Sequence, residues 1–347
     1  MRTLQELTRD CINSLKPYSS ARNEYSGKEA RVFLDANENP YNNPLNRYPD
    51  PLQRDVKARI SAIKGVSDER IFLGNGSDEP IDLMYRIFCN PGKDNAVAME
   101  PSYGMYRVSA DINDVEYRAV LTDSDFQPDT DKMLAAADSN TKLMFFCSPN
   151  NPSGNLVERD RIIRVLDSFD GITVVDEAYI DFAQTRSLTE LLDRYPHLVV
   201  LQTFSKAWGM AGIRLGMAFA SKEIIELMNK VKYPYNINYL TQQAAIEQLS
   251  LSERVGKWVN ELIASREEMA KALGRLPVCL RIYPSEANFI LTRVTDAADI
   301  YNYLTDRGII VRNRSRIALC GNCLRITIGT PDENREVLGC LEEYCRK

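Results

Sequence analysis

The feature that most constrains this chain is an alternation of pattern. From about residue 32 to 235, short apolar, β-rich runs take turns with stretches of helical period. Residues 71–73, 96–99, 115–119, 143–147, 172–176, 198–203 and 215–220 read as strands, and 52–63, 79–87, 103–112, 158–168 and 222–231 as the helices between them. Such alternation predicts an α/β fold with a mostly parallel central sheet and helices on both faces. Several runs, Ile172-Thr173-Val174-Val175 among them, are continuously apolar, as strands buried on both sides should be. In a sheet of this kind functional side chains gather in the loops beyond the strands' carboxyl ends.

After Pro234 the period changes. Leu251, Val255, Val259, Leu262, Met269 and Leu273 recur at three-, four- and seven-residue steps, the stripe of a long amphipathic helix that ends near Gly274 and Pro277. Strand-like runs at 289–292, 309–312 and 324–328, a helix at 297–306 and a last helix at 333–346 make a smaller α+β unit. The chain's 347 residues exceed the roughly 250–300 at which a single core stops growing. Two domains are therefore expected: a large α/β domain over 30–250, and a small one formed by 251–347 with an N-terminal arm, 1–29.

Composition narrows the chemistry. The 48 acidic and 43 basic residues leave a net charge of −5, which argues against a broad surface for nucleic acid or anionic membrane. No run approaches the ~18 uninterrupted apolar residues of a membrane span, and no apolar leader follows Met1, so a cytoplasmic protein is expected. Eight scattered cysteines fit a reduced compartment rather than a disulfide scaffold. The sole histidine, His197, lies outside every motif, so no histidine-rich metal site or histidine relay can be built. Cys320-Gly321-Asn322-Cys323 lacks the second Cys-x-x-Cys of a zinc knuckle, and no metal is expected. Acid-base work falls to Lys, Asp, Glu, Tyr or Cys.

Four strand-end motifs carry that chemistry. Thr203-Phe204-Ser205-Lys206-Ala207, with Gly209, Gly212 and Arg214 beyond it, follows a buried run. Desolvation there would lower the lysine's pKa and make its amine a nucleophile and base for Schiff-base chemistry, while Ser205 and Arg214 could ligate a phosphate. Asp176 ends another buried strand, where a carboxylate is costly unless it meets a cation; Tyr179 lies three residues on. Taken alone, an Asp-x-x-Tyr is most often a helix cap and a packed tyrosine. Ser148-Pro149-Asn150-Asn151-Pro152-Ser153-Gly154 reads as a tight loop. Gly74-Asn75-Gly76-Ser77-Asp78 joins a strand to a helix, whose free N–H groups and dipole favour an anion, though Ser77 or Asp78 could simply cap that helix.

Together these motifs resemble the class-II pyridoxal-phosphate-dependent aminotransferases, of transferase fold type I. The resemblance implies pyridoxal 5'-phosphate as cofactor and Lys206 as the catalytic residue that carries it. It implies Asp176 on the pyridine nitrogen, Asn151 and Tyr179 on the ring oxygen, and Tyr103 stacked on the ring. Gly76, Ser77, Asp78, Ser205 and Arg214 would hold the cofactor phosphate. Further stretches, Lys16–Arg22, Leu34–Pro40, Asn46–Pro51, Ile310–Arg312 and Cys323–Gly329, are similar to the branch of that family acting on histidinol phosphate, over essentially the whole chain. That branch exchanges an amino group between histidinol phosphate and 2-oxoglutarate, giving glutamate, in histidine biosynthesis. By the same resemblance Tyr18, Asn37, Arg312 and Arg325 bind substrate, and Tyr48 reaches the cofactor phosphate of a neighbouring subunit, so a homodimer is expected. Threonine-phosphate decarboxylase and aromatic amino acid aminotransferases share the cofactor motifs and remain the alternatives. One fork-shaped guanidinium can serve a phosphate and a carboxylate in turn, a role that suits Arg325.

Overall fold

Seven strands form the larger of two sheets in the computed structural model, which describes residues 2–18 and 32–346. Residues 19–22, part of one motif above, lie outside the described residues. The strands are β1 (Ile71–Asn75), β2 (Asn95–Glu100), β3 (Glu116–Leu121), β4 (Thr141–Cys147), β5 (Ile172–Asp176), β6 (Leu198–Thr203) and β7 (Leu215–Phe219), in the order β1-β7-β6-β5-β4-β2-β3. The five from β3 to β6 run parallel, and β7 lies antiparallel to both β6 and β1. Every residue of β5, β6 and β7 is buried, as their mostly apolar sequences require, including Thr173, Asp176, Gln202 and Thr203. In register, Cys147 of β4 pairs with Asp176 of β5 and Asp176 with Leu201 of β6, so the carboxyl ends of three neighbouring strands open side by side.

The smaller sheet is antiparallel, in the order β10-β11-β9-β8, from β8 (Cys279–Ile282), β9 (Phe289–Val294), β10 (Arg312–Asn313) and β11 (Cys323–Thr327). Ile290, Leu324 and Ile326 of this sheet pack on Ile300, Leu304 and Leu341 of the helices Ala297–Thr305 and Pro331–Tyr344. The long helix Ser252–Leu273 serves both sheets. Val255, Trp258 and Val259 join the core on one face of the large sheet, while Met269 and Leu273 join that of the small one.

Besides the four-residue helices Leu4–Leu7 and Asp10–Asn13 and a few single 3-10 turns, three elements of the two units escaped the sequence reading. The helix Tyr239–Leu249 buries Thr241 and Gln242 beside Ala245, and Gln242 donates to the carbonyls of Asp50 and Ile237, so no apolar stripe marks it. Strand β8 has no fully buried residue, and the helix Thr130–Ala135 is short and capped by Asp129. Of the strand expected at 309–312 only Arg312 pairs, continuing to Asn313; Ile309 instead closes the preceding helix through its N–H on Leu304, beside Gly308 at φ +78°. The described part of the N-terminal arm touches the large sheet. Leu7 is buried with Phe72 and Ile225 against the large sheet, and Arg2 binds Asp170 and Thr141, so its contacts run to the large unit. Among the described residues no helix is long and apolar enough to cross a membrane.

Candidate active site

A cavity of about 650 Å³ opens where β4, β5 and β6 end, walled on another side by the small sheet. One wall is the turn between β1 and the helix Asp78–Phe88. Gly76 sits there at φ +72°, and a Cβ on it would lie 2.5 Å from the Arg214 guanidinium. Across the same turn a Cβ on Gly216 would lie 2.3 Å from the Ser77 nitrogen, so both positions demand glycine. Ser77 makes no side-chain cap bond, which leaves its hydroxyl to the cavity. The Asp78 carboxylate accepts from Tyr103 Oη at 3.0 Å and lies 3.7 Å from Arg214 Nη2, and Asp78 opens the helix whose first N–H groups favour an anion. Ser205 and Arg214 line the same cavity, with Ser205 N–H bonded to Thr203 Oγ1. A cradle closed to any side chain, a helix N-terminus, two hydroxyls and a guanidinium fit a phosphate monoester.

Asp176, at the end of β5, is buried and accepts hydrogen bonds from Tyr106 Oη at 2.8 Å and from Ala178 N–H at 3.0 Å. Burial pushes its carboxyl up to about 6, against the pull of the Tyr106 hydroxyl. A buried carboxylate with two neutral donors and, among the described residues, no ion-pair partner suits a protonated ring nitrogen. Lys206, just past β6, opens its ammonium to the cavity with Nζ 5.7 Å from the Tyr179 ring centre. Desolvation, then the charge of Arg325, lowers its pKa, opposed by Asp176. Tyr179 packs edge-on against Phe289 and reaches the cavity.

The two adjacent asparagines separate in role. Asn150 is fully buried, holding Pro101 O and Ser153 Oγ, and so shapes the loop; Asn151 faces the cavity and accepts from Arg325 Nη1. Arg312, Arg314 and Arg325 all reach the cavity from the small sheet. Burial lowers two of them: Arg314 is pushed down to about 10, chiefly by burial and then by the charges of Arg325 and Arg312, and Arg325 is lowered in the same direction, again chiefly by burial.

The structure thus brings together Ser77, Asp78, Tyr103, Asn151, Asp176, Tyr179, Ser205, Lys206, Arg214, Arg312 and Arg325, with Gly76 just behind. Three expected residues lie elsewhere. Tyr18 is 69% exposed. Asn37 and Tyr48 line a second groove, where Tyr48 stacks on Tyr235 at 4.4 Å and Glu38 holds the Tyr48 N–H and Arg47. Sequence reasoning missed Tyr106 and Arg314. Each had a signal: Tyr106 follows Tyr103 by one helical step, and Arg314 follows Arg312 by one strand repeat.

Comparisons with known proteins agree on the family. The model for aminotransferase class I and II matches residues 21–341. A Bacteroides fragilis (strain YCH46) protein named histidinol-phosphate aminotransferase is 60% identical over 344 residues, covering 99% of this chain and 100% of its own. Among solved structures, the histidinol-phosphate aminotransferase from Clostridium acetobutylicum is similar with a TM-score of 0.80 at 24% identity, over 87% of this chain and 91% of that one. That from Sinorhizobium meliloti, in complex with pyridoxal-5'-phosphate, gives a TM-score of 0.77 at 23% identity, over 86% and 83%. By the family match and the identity of its relative, this chain belongs to the class I and II aminotransferases and, within them, to the histidinol-phosphate aminotransferase family.

Proposed function

We propose that the protein transfers an amino group between L-histidinol phosphate and 2-oxoglutarate, yielding imidazole-acetol phosphate and L-glutamate, with pyridoxal 5'-phosphate as cofactor. One observation carries this reading: a single cavity joins Lys206, Asp176 and an anion cradle at Ser77, Ser205 and Arg214 to a second cationic wall of Arg312, Arg314 and Arg325. Two separate anion sites around one amine suit a phosphorylated cofactor and a phosphorylated substrate.

When bound, pyridoxal phosphate supplies an aldehyde and an electron-withdrawing pyridinium ring. The cradle residues hold its phosphate, Asp176 keeps the ring nitrogen protonated, and Asn151 and Tyr179 face the ring oxygen. The substrate's anion sits on the arginine wall. Lys206 Nζ, its pKa lowered by desolvation, holds the cofactor between turnovers and takes the proton from the substrate's Cα. Glutamate presents its α-carboxylate to Arg325 in the other half of the cycle. A homodimer completes the site, with Tyr48 reaching the partner's cofactor phosphate; the large unit over 30–250 holds the cofactor and the smaller one carries the arginines. A reduced, cytoplasmic setting accords with eight unpaired cysteines.

The test is purified protein with cofactor, assayed for glutamate formation from histidinol phosphate and 2-oxoglutarate, alongside CO₂ release from threonine phosphate. Glutamate formation without CO₂ is expected; the reverse would overturn the reading. Lys206→Ala should abolish both turnover and the visible absorption of lysine-bound cofactor, and a variant that still transaminates normally would end the assignment of Lys206.

A further inference from the structure

The wall built by the small sheet carries more positive charge than a carboxylate needs. Arg312 of β10 stands directly across from Arg325 of β11 in antiparallel register. Arg314 N–H then bonds Cys323 O at 2.8 Å, so the ladder runs on and the two-residue period returns Arg314 to the face of Arg312. Like charges set across a sheet destabilise it. Among the described residues no carboxylate pairs with any of the three. The Nε of Arg314 and of Arg325 is buried without a hydrogen-bond partner, so neither guanidinium is committed to a protein acceptor through that atom.

The chemistry of the two substrates differs at this wall. A carboxylate is satisfied by one guanidinium in a bidentate pair, whereas a phosphate monoester offers three anionic oxygens in three directions. Building on the function proposed above, we infer that Arg314 is a specificity-determining residue, a third guanidinium that binds the substrate's phosphate beside Arg312 and Arg325 and favours phosphate monoesters over carboxylates at this subsite. Arg325, which Asn151 also holds, serves both anions; Arg314 serves the phosphate.

The test is steady-state kinetics of the holoenzyme and of Arg314→Gln, with histidinol phosphate and glutamate as alternative amino donors. The KM for histidinol phosphate should rise about ten- to a hundredfold, the range for losing a charge-assisted hydrogen bond, with kcat lowered less than about threefold. The KM for glutamate should move less than about threefold, and Arg314→Lys should recover part of the loss for histidinol phosphate. Equal losses with both donors would show a structural effect and overturn the inference, as would an unchanged KM for histidinol phosphate in an enzyme that turns it over. A wild-type enzyme inactive on histidinol phosphate would overturn the functional reading itself, which separates the two failures.

Discussion

Asp176 shows how much of a site can rest on one neighbour. Its carboxyl is pushed up to about 6 by burial and held from going higher by the Tyr106 hydroxyl. Tyr106 is itself fully buried and stacks on Phe145 at 4.9 Å, so it cannot follow the carboxylate if that bond is lost. Only the ionised carboxylate pairs with a cation. Cofactor affinity, measured by titrating the apoenzyme across pH, is therefore expected to weaken as pH falls through about 6, and Tyr106→Phe should move that limb to higher pH; an unmoved limb would contradict the role given to Tyr106. The linkage has a fixed sign. A carboxyl whose pKa is raised on folding destabilises the empty protein as pH rises from the unfolded value near 4 towards 6, so added cofactor should raise the melting temperature more at pH 7 than at pH 5. At this scale the sequence was legible wherever a chemical residue closes a buried strand, as Asp176 and Lys206 do. Tyr106 was not, because a tyrosine inside an amphipathic helix looks like any other core residue until its hydroxyl partner, 70 positions away, is known.

Among elements, the turn between β1 and the helix Asp78–Phe88 has the least tolerance. It is squeezed from behind by β7, whose Gly216 leaves no space for a methyl group beside the Ser77 nitrogen. Gly216→Ala should therefore shift backbone rather than a side chain and cost roughly 1–3 kcal/mol, measured by urea unfolding of the apoprotein, with cofactor affinity falling as the cradle opens. Substitution without either effect would mean that the turn is looser than its contacts imply. Elements with a continuous apolar run, β4 to β7, could be placed from sequence within two residues at either end. Those stabilised by polar contacts could not: the helix Tyr239–Leu249 hides its buried face behind Gln242 and Thr241. Ile309 and Ile310 mislead in the other direction, an apolar pair of which Ile310 is 71% exposed beside a turn rather than in a sheet.

At the level of the whole molecule, Tyr48 lies in a different groove from Lys206, one also lined by the exposed side chains of Leu45 and Leu240. If that groove meets a second copy, as proposed, one functional site draws on two chains. Mixing inactive Lys206→Ala with a Tyr48→Phe variant impaired in cofactor binding should then restore activity well above either parent, since the mixed dimer contains one site with both residues intact. No gain on mixing would place Tyr48 outside the neighbour's site. The proposed dimer was accessible to sequence only through family resemblance, because exposed aromatic residues in an irregular loop have no period from which a partner surface could be read.

The helix Ser252–Leu273 has a mechanical consequence. Its 22 residues make a rod about 33 Å long, embedded near one end among Trp258 and Val259 and near the other under the sheet that carries the three arginines. The rod is a lever with its fulcrum in the larger core. A tilt that brought the arginine wall toward Lys206 would turn the end anchored by the buried Val255 as well, so the partly buried Trp258 and Val259 beside it would have to repack.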